Sequence, residues 1–153
     1  MRPRVRAVVQ RVSEASVSVD GKVTGSVAQG LCVLVGVGAQ DGEDDARWLA
    51  DKVVELRVFE DEAGKMNRSV LDVRGGVLAV SQFTLFGDAR KGTRPGFIDA
   101  ARPELAQPLY IRFCDCVRAR GVQLSEGIFR AAMQVRIVNE GPVTLLLDSK
   151  KLF

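Results

Sequence analysis

The chain has 153 residues, 46% hydrophobic and 27% charged, with a formal net charge of +3, a composition that fits one ordinary globular domain. It contains no histidine, which excludes a Ser-His-Asp or Cys-His nucleophilic site and any histidine-ligated metal. If the protein is an enzyme, its protons have to move through carboxylates, hydroxyls, water or the substrate itself.

Arg4 to Val12 and Ala15 to Asp20 alternate and are rich in valine, which predicts two strands. Asp20-Gly21 is a hairpin turn leading into a strand over Lys22 to Ala28. Gly30 to Val37 is a continuous apolar run and predicts a buried strand. Gln40-Asp41-Gly42 closes it and opens a helix over residues 43–57. There Ala46, Leu49, Ala50, Val53 and Val54 fall on one face, with acids at the N-terminal end. Trp48 lies off that stripe and is expected over a sheet edge or a subunit interface. Val58-Phe59 predicts a short strand and Asp61 to Gly64 a turn.

The organising stretch follows. Gly75-Gly76 opens a second run buried on both faces, which ends in Ser81-Gln82-Phe83-Thr84. At the end of such a strand the backbone N–H groups lose their ladder partners and can face an oxyanion. Alternation places Ser81, Gln82 and Thr84 at that end with Phe83 turned to the other side. Simple strand capping by Ser81 and Thr84 is the competing explanation. The loop Asp88 to Gly96 carries Arg90, Lys91 and Arg94 beside glycines and a proline, so it either contacts phosphates or is solvated.

Pro103 suits the first turn of a helix running to about Arg120 and stopped by Gly121, with Pro108 disturbing its early turns. Val122 to Leu124 predicts a strand and Ser125-Glu126-Gly127 a turn. Ala131 to Val138 and Val143 to Leu147 predict two strands separated by Asn139-Glu140-Gly141-Pro142. Cys32, Cys114 and Cys116 read as free buried thiols. The longest apolar run, Gly30 to Ala39, is too short to span a bilayer, and Gln10-Arg11 interrupts any leader, so a cytoplasmic protein is expected. The sum is one α+β domain over 1–153, with seven or eight strands in a mixed or antiparallel sheet and two main helices.

Ser81-Gln82-Phe83-Thr84-Leu85 together with Asn139-Glu140-Gly141-Pro142-Val143-Thr144 resembles the paired signature of the D-aminoacyl-tRNA deacylases, also called D-tyrosyl-tRNA deacylases. Val9 to Val12, Gly64 to Asn67, Arg94-Pro95 and Phe129 to Val135 support the resemblance, which covers nearly the whole chain in order. It implies the barrel-like fold of that family and a homodimer with shared active sites; no cofactor is expected and no residue is assigned to a metal. The substrates implied are D-aminoacyl-tRNA and glycine mischarged on tRNA, cleaved at the ester to the terminal adenosine. Ser81, Gln82, Phe83 and Thr84 would hold the ester. Gly141-Pro142 would enter the partner's site as a cis peptide and reject L-amino acids. Phe129 and Met133 would contact the substrate near the adenine, and Arg11 would brace the Gly-Pro segment. The substrate's vicinal hydroxyl would replace the missing histidine. Two other readings remain open at this level, a non-catalytic tRNA- or ribosome-binding module and an esterase for a small metabolite.

Overall fold

The computed structural model describes residues 5–151, so the expected strand start at Arg4 lies outside the described residues. In chain order the elements are β1 (Val5–Val19), β2 (Lys22–Val27), β3 (Gly30–Val37), α1 (Glu43–Glu55), β4 (Phe59–Glu60), β5 (Met66–Arg68) and β6 (Gly76–Ser81). A 3-10 turn (Phe83–Phe86), α2 (Pro103–Ala119), β7 (Gln123–Glu126) and β8 (Gln134–Asp148) complete them.

β1 is one strand where the sequence predicts two. The pairing of β1 with β8 loses register between Val12 and Glu14, and Ser13 and Glu14 are both exposed. This is a bulge, and one extra residue flips the faces. Val5, Ala7 and Val9 therefore face the helices, whereas Ala15 and Val17 fall with Val12 on the opposite side. β8 is likewise continuous from Gln134, so Ala131 to Met133 are not part of the strand and Asn139 to Pro142 do not separate two. Glu126 ends β7 instead of standing in a turn.

β8 lies antiparallel along one edge of β1; β3 and then β2 lie along the other. β6 joins β3 in parallel and β7 joins β6 in parallel. β2 comes back against β6 and β7, which gives a mixed, nearly closed, barrel-like sheet. β4 and β5 form a separate small hairpin. At the start of the β3–β6 pair the backbones touch: a Cβ on Gly30 would lie 1.9 Å from the carbonyl oxygen of Gly76.

Both helices cover one face of the sheet. Leu49 and Val53 of α1 and Phe113 and Val117 of α2 pack with Val9, Leu31, Val33, Val77 and Ala79. α1 begins at Gly42, whose N–H donates to the Asp45 carboxylate at 3.0 Å. Trp48 is half-buried and packs against this core, with the Lys52 ammonium 5.6 Å from its ring centroid. α2 starts on Pro103, tolerates Pro108 on its exposed side and ends before Gly121. On the other face Cys32, Leu78 and Val80 pack with Val12, Ala15 and Val17 under Met133, Val135 and Ile137. Cys32 and Cys114 are buried, and burial pushes both thiols up to about 12; Cys116 is half-buried.

The Gly30–Gly76 approach makes a direct prediction. Gly30→Ala should destabilise the protein by about 3 kcal/mol, because the intruding methyl meets backbone that has no room to yield. Chemical denaturation of the two proteins measures the difference.

Candidate active site

The last ladder bond of β6 runs from Gln82 N–H to the carbonyl of Val35 at 2.7 Å. The chain then leaves the sheet and tightens into the 3-10 turn, anchored by buried Phe86. Arg6 fixes the far end: its guanidinium lies 4.8 Å from the Phe86 ring centroid and donates to the carbonyl of Leu85 at 3.1 Å. Strand alternation therefore stops one residue too early for the sequence expectation. Phe83 does not turn to the other side but lines the same pocket as Ser81, Gln82 and Thr84. Its ring is 56% exposed and packs edge-on against Phe97, with centroids 5.1 Å apart.

The turn has donors to spare. Its first backbone bond is Leu85 N–H to the carbonyl of Gln82 at 3.3 Å. The N–H groups of Phe83 and Thr84 precede that bond, as the first amides of any helical turn do. The Gln82 side-chain amide donates to Thr84 Oγ1 at 2.9 Å, which leaves the threonine proton to point elsewhere.

Two further walls complete a pocket of about 590 Å³. One is the start of α2, with Arg102, Pro103 and Ala106; the other is the segment Phe129 to Met133. The Phe129 ring lies 6.1 Å from that of Tyr110, centroid to centroid. Tyr110 Oη donates to the carbonyl of Ala79 at 3.1 Å, and Gly127 N–H donates to the same oxygen at 3.2 Å. Burial pushes the Tyr110 hydroxyl far above its ordinary pKa, so it stays a neutral donor. Among the lining residues the charged side chains are Arg102 and Arg130; no carboxylate lines the pocket.

Six of the residues singled out in the sequence thus stand together: Ser81, Gln82, Phe83, Thr84, Phe129 and Met133. The others lie outside this chain's own pocket. Arg90 is tied to Asp88 by two bonds, of 2.9 and 2.7 Å, and those bonds hold the Asp88 carboxyl well below the usual carboxylate range. Lys91 and Arg94 are exposed on the same loop, which is pinned at its base by paired backbone bonds between Asp88 and Gly96. Arg102 and Arg130 were not singled out in the sequence. A basic residue directly before the helix-starting Pro103 was a usable signal for the first; Arg130 gave none beyond following Phe129.

Gly141 and Pro142 are exposed and joined by a cis peptide bond. They belong to a loop in which β8 sets Glu140 to Val143 against the single residue Arg11 of β1. Asn139 holds the loop's ends, accepting from Val143 N–H at 3.3 Å and donating to Thr144 Oγ1 at 3.0 Å. Arg11 is buried beneath it, its guanidinium donating to the carbonyls of Glu140 at 3.2 Å and Val58 at 2.8 Å. Gly141 has φ +122, a conformation that L side chains rarely adopt, and a Cβ there would lie 2.9 Å from Val143 Cγ2.

Residues 8–148 match the model of the family described as D-Tyr-tRNA(Tyr) deacylase. The D-aminoacyl-tRNA deacylase of Anaeromyxobacter dehalogenans is 62% identical over 97% of this chain and 100% of its own length. That of Thermotoga petrophila is 58% identical with the same coverage. The solved structure of a c-Myc DNA unwinding element binding protein superposes with a TM-score of 0.87 at 42% identity, over 93% of this chain and 97% of that one. A probable eukaryotic D-amino acid tRNA deacylase shares the fold, with a TM-score of 0.83 at 20% identity over 95% of this chain and 99% of its own.

The Arg11 geometry gives a prediction independent of any substrate. Arg11→Met leaves two carbonyls without their charged donor and should cost about 2–3 kcal/mol of stability. Hydrogen exchange should show the loss concentrated at residues 139–144; a loss spread evenly over the sheet would contradict the bracing role.

Proposed function

The chain belongs to the D-Tyr-tRNA(Tyr) deacylase family, a family of hydrolases, and from that premise we propose that it cleaves the ester between a D-amino acid, or mischarged glycine, and the terminal adenosine of tRNA. The observation that carries this reading is the Ser81–Thr84 segment. Its residues line a pocket whose lining holds no carboxylate, in a chain without histidine, and the N–H groups of Phe83 and Thr84 come before the turn's first backbone bond. Such a site stabilises an oxyanion but has no general base of its own. An aminoacyl ester is already activated, and its ribose carries a hydroxyl beside the scissile bond.

Water adds to the ester carbonyl while the carbonyl oxygen, gaining charge, is held by the Phe83 and Thr84 N–H groups. The vicinal hydroxyl relays the water's proton to the departing ribose oxygen. The carbon–oxygen bond to the ribose breaks, releasing the free amino acid and tRNA. One well-placed donor of this kind is worth about 10²–10³ in rate. Phe129 and Met133 flank the adenosine. Lys91 and Arg94 meet backbone phosphates farther along the acceptor, and Arg90 shapes their loop through Asp88.

The active form is a homodimer in the cytoplasm, with sites shared between subunits. Gly141-Pro142 is exposed and outside its own pocket, which suits entry into a partner's. The sheet face without helices carries an apolar row, Leu146–Val8–Leu34–Val80, across β8, β1, β3 and β6. Leu146 is 54% exposed, and the row ends beside Ser81. A second copy covering this row would bring loop and pocket together. Among the described residues no helix is long and apolar enough to cross a membrane. Selection works by exclusion: a glycine backbone standing close to the α-carbon leaves no space for the side chain of an L-residue and tolerates many D-residues.

Two experiments test the reading. Thr84→Ala should keep measurable turnover of D-tyrosyl-tRNA, slowed by no more than about 100-fold, whereas a substrate lacking the vicinal hydroxyl should lose most of it. A covalent acyl-threonine trapped at Thr84 would overturn the mechanism. Gly141→Ala, which disturbs the loop through its φ and its contact with Val143, should lower the D-over-L preference at least tenfold. An unchanged ratio would remove Gly141 from selection.

A further inference from the structure

We propose that Arg102 and Arg130 form a phosphate clamp at the pocket, holding the phosphodiester that joins the terminal nucleotide of the bound RNA to its neighbour. The proposal rests on the deacylase reading and adds to it the residues that recognise a nucleic-acid end.

The two arginines come from distant parts of the chain but line the same pocket. Ala101 and Phe129 pack into one cluster with Val37, Ala106 and Leu109, and the next residue in each segment is an arginine lining the pocket. Both are exposed, and among the described residues neither takes part in an ion pair. The pattern differs from that of the other arginines around the site. Arg90 is spent on Asp88, Arg6 on Asp148 and the carbonyl of Leu85, and Arg11 on two carbonyls.

Neither cation serves the fold in an evident way. Arg102 is the N-cap residue of α2, a position that a side chain with donors only cannot cap. Arg130 occupies the left-handed region at φ 70, a conformation that residues other than glycine rarely adopt. With no carboxylate in the lining, two guanidinium groups make the pocket mouth a site for an anion, and their planar forks match phosphate oxygens. The scissile ester is uncharged and the amino acid's ammonium is positive, so the anion has to come from the RNA backbone. The turn carrying Phe83 and Thr84 lies in the same pocket, so a terminal nucleoside whose ester sits there has its linking phosphate at the mouth.

The test compares two substrates, D-tyrosyl-tRNA and D-tyrosyl-adenosine, which has the same ester and no phosphate. In the Arg102→Gln, Arg130→Gln double variant, KM for D-tyrosyl-tRNA should rise roughly 10- to 100-fold with kcat nearly unchanged. Hydrolysis of D-tyrosyl-adenosine should match the parent protein. Binding of uncharged tRNA, followed by fluorescence anisotropy, should lose about 0.7 units of salt slope, as expected for one single-strand phosphate. Arg102→Lys with Arg130→Lys should restore the salt slope but only part of the affinity, because an ammonium keeps the charge and loses the fork, and Arg47→Gln on α1 should change nothing. An equal loss on both substrates, or an unchanged KM and salt slope on tRNA, would overturn the clamp. If the parent protein hydrolyses neither substrate, the deacylase reading fails, while the binding experiment still decides the clamp by itself.

Discussion

Where Gln10 faces Thr144 and Val12 faces Asn139, β1 has one residue to cross the gap and β8 has four. The surplus backbone has to leave the ladder, and its polar groups then need other partners. Asn139 ties the two ends, and the buried guanidinium of Arg11 takes the carbonyl at the loop's entry. A buried cation persists only where its donors are matched, and the second match here is the carbonyl of Val58, just before β4. One side chain therefore fixes the chain after α1, the pairing of the two longest strands and the projection of Gly141-Pro142. The apolar row beside that loop owes its register to the same pairing.

The sequence discloses the elements better than their joints. Gly30–Val37 and the run into Ser81 are legible because an uninterrupted apolar stretch between glycines has few other solutions. Both helices are legible from periodicity, acids at the start of α1 and Pro103 at the start of α2. The breaks assigned to β1 and β8 fail for one reason. Two adjacent polar residues, or a Gly-Pro pair, look like a strand's end, whereas a partner strand can carry the chain across the irregularity. Phe83 fails for a related reason, since alternation holds only while the backbone stays extended. Arg102 and Arg130 are 28 positions apart, and only the packing of Ala101 against Phe129's cluster brings them together.

The chemistry of the pocket is divided between protein and ligand. The chain supplies geometry and partial positive charge: amides at the start of a turn, a hydroxyl whose oxygen is already occupied, and two guanidinium groups. The pocket lining holds no carboxylate, histidine or cysteine. Selectivity then has to reside in shape and in the ligand's own functional groups.

The carbonyl oxygen of Ala79 has two lone pairs, and each is engaged. Tyr110 reaches it from the helix whose first turn is one wall of the pocket, and Gly127 from the segment that becomes the opposite wall. Ala79 itself lies on the strand that ends in Ser81, the floor. An enclosure whose three sides meet at one atom is a mould, not a jaw: no side can swing outward while the others stay in place. Opening any one of these sides therefore means giving up a hydrogen bond to the Ala79 carbonyl.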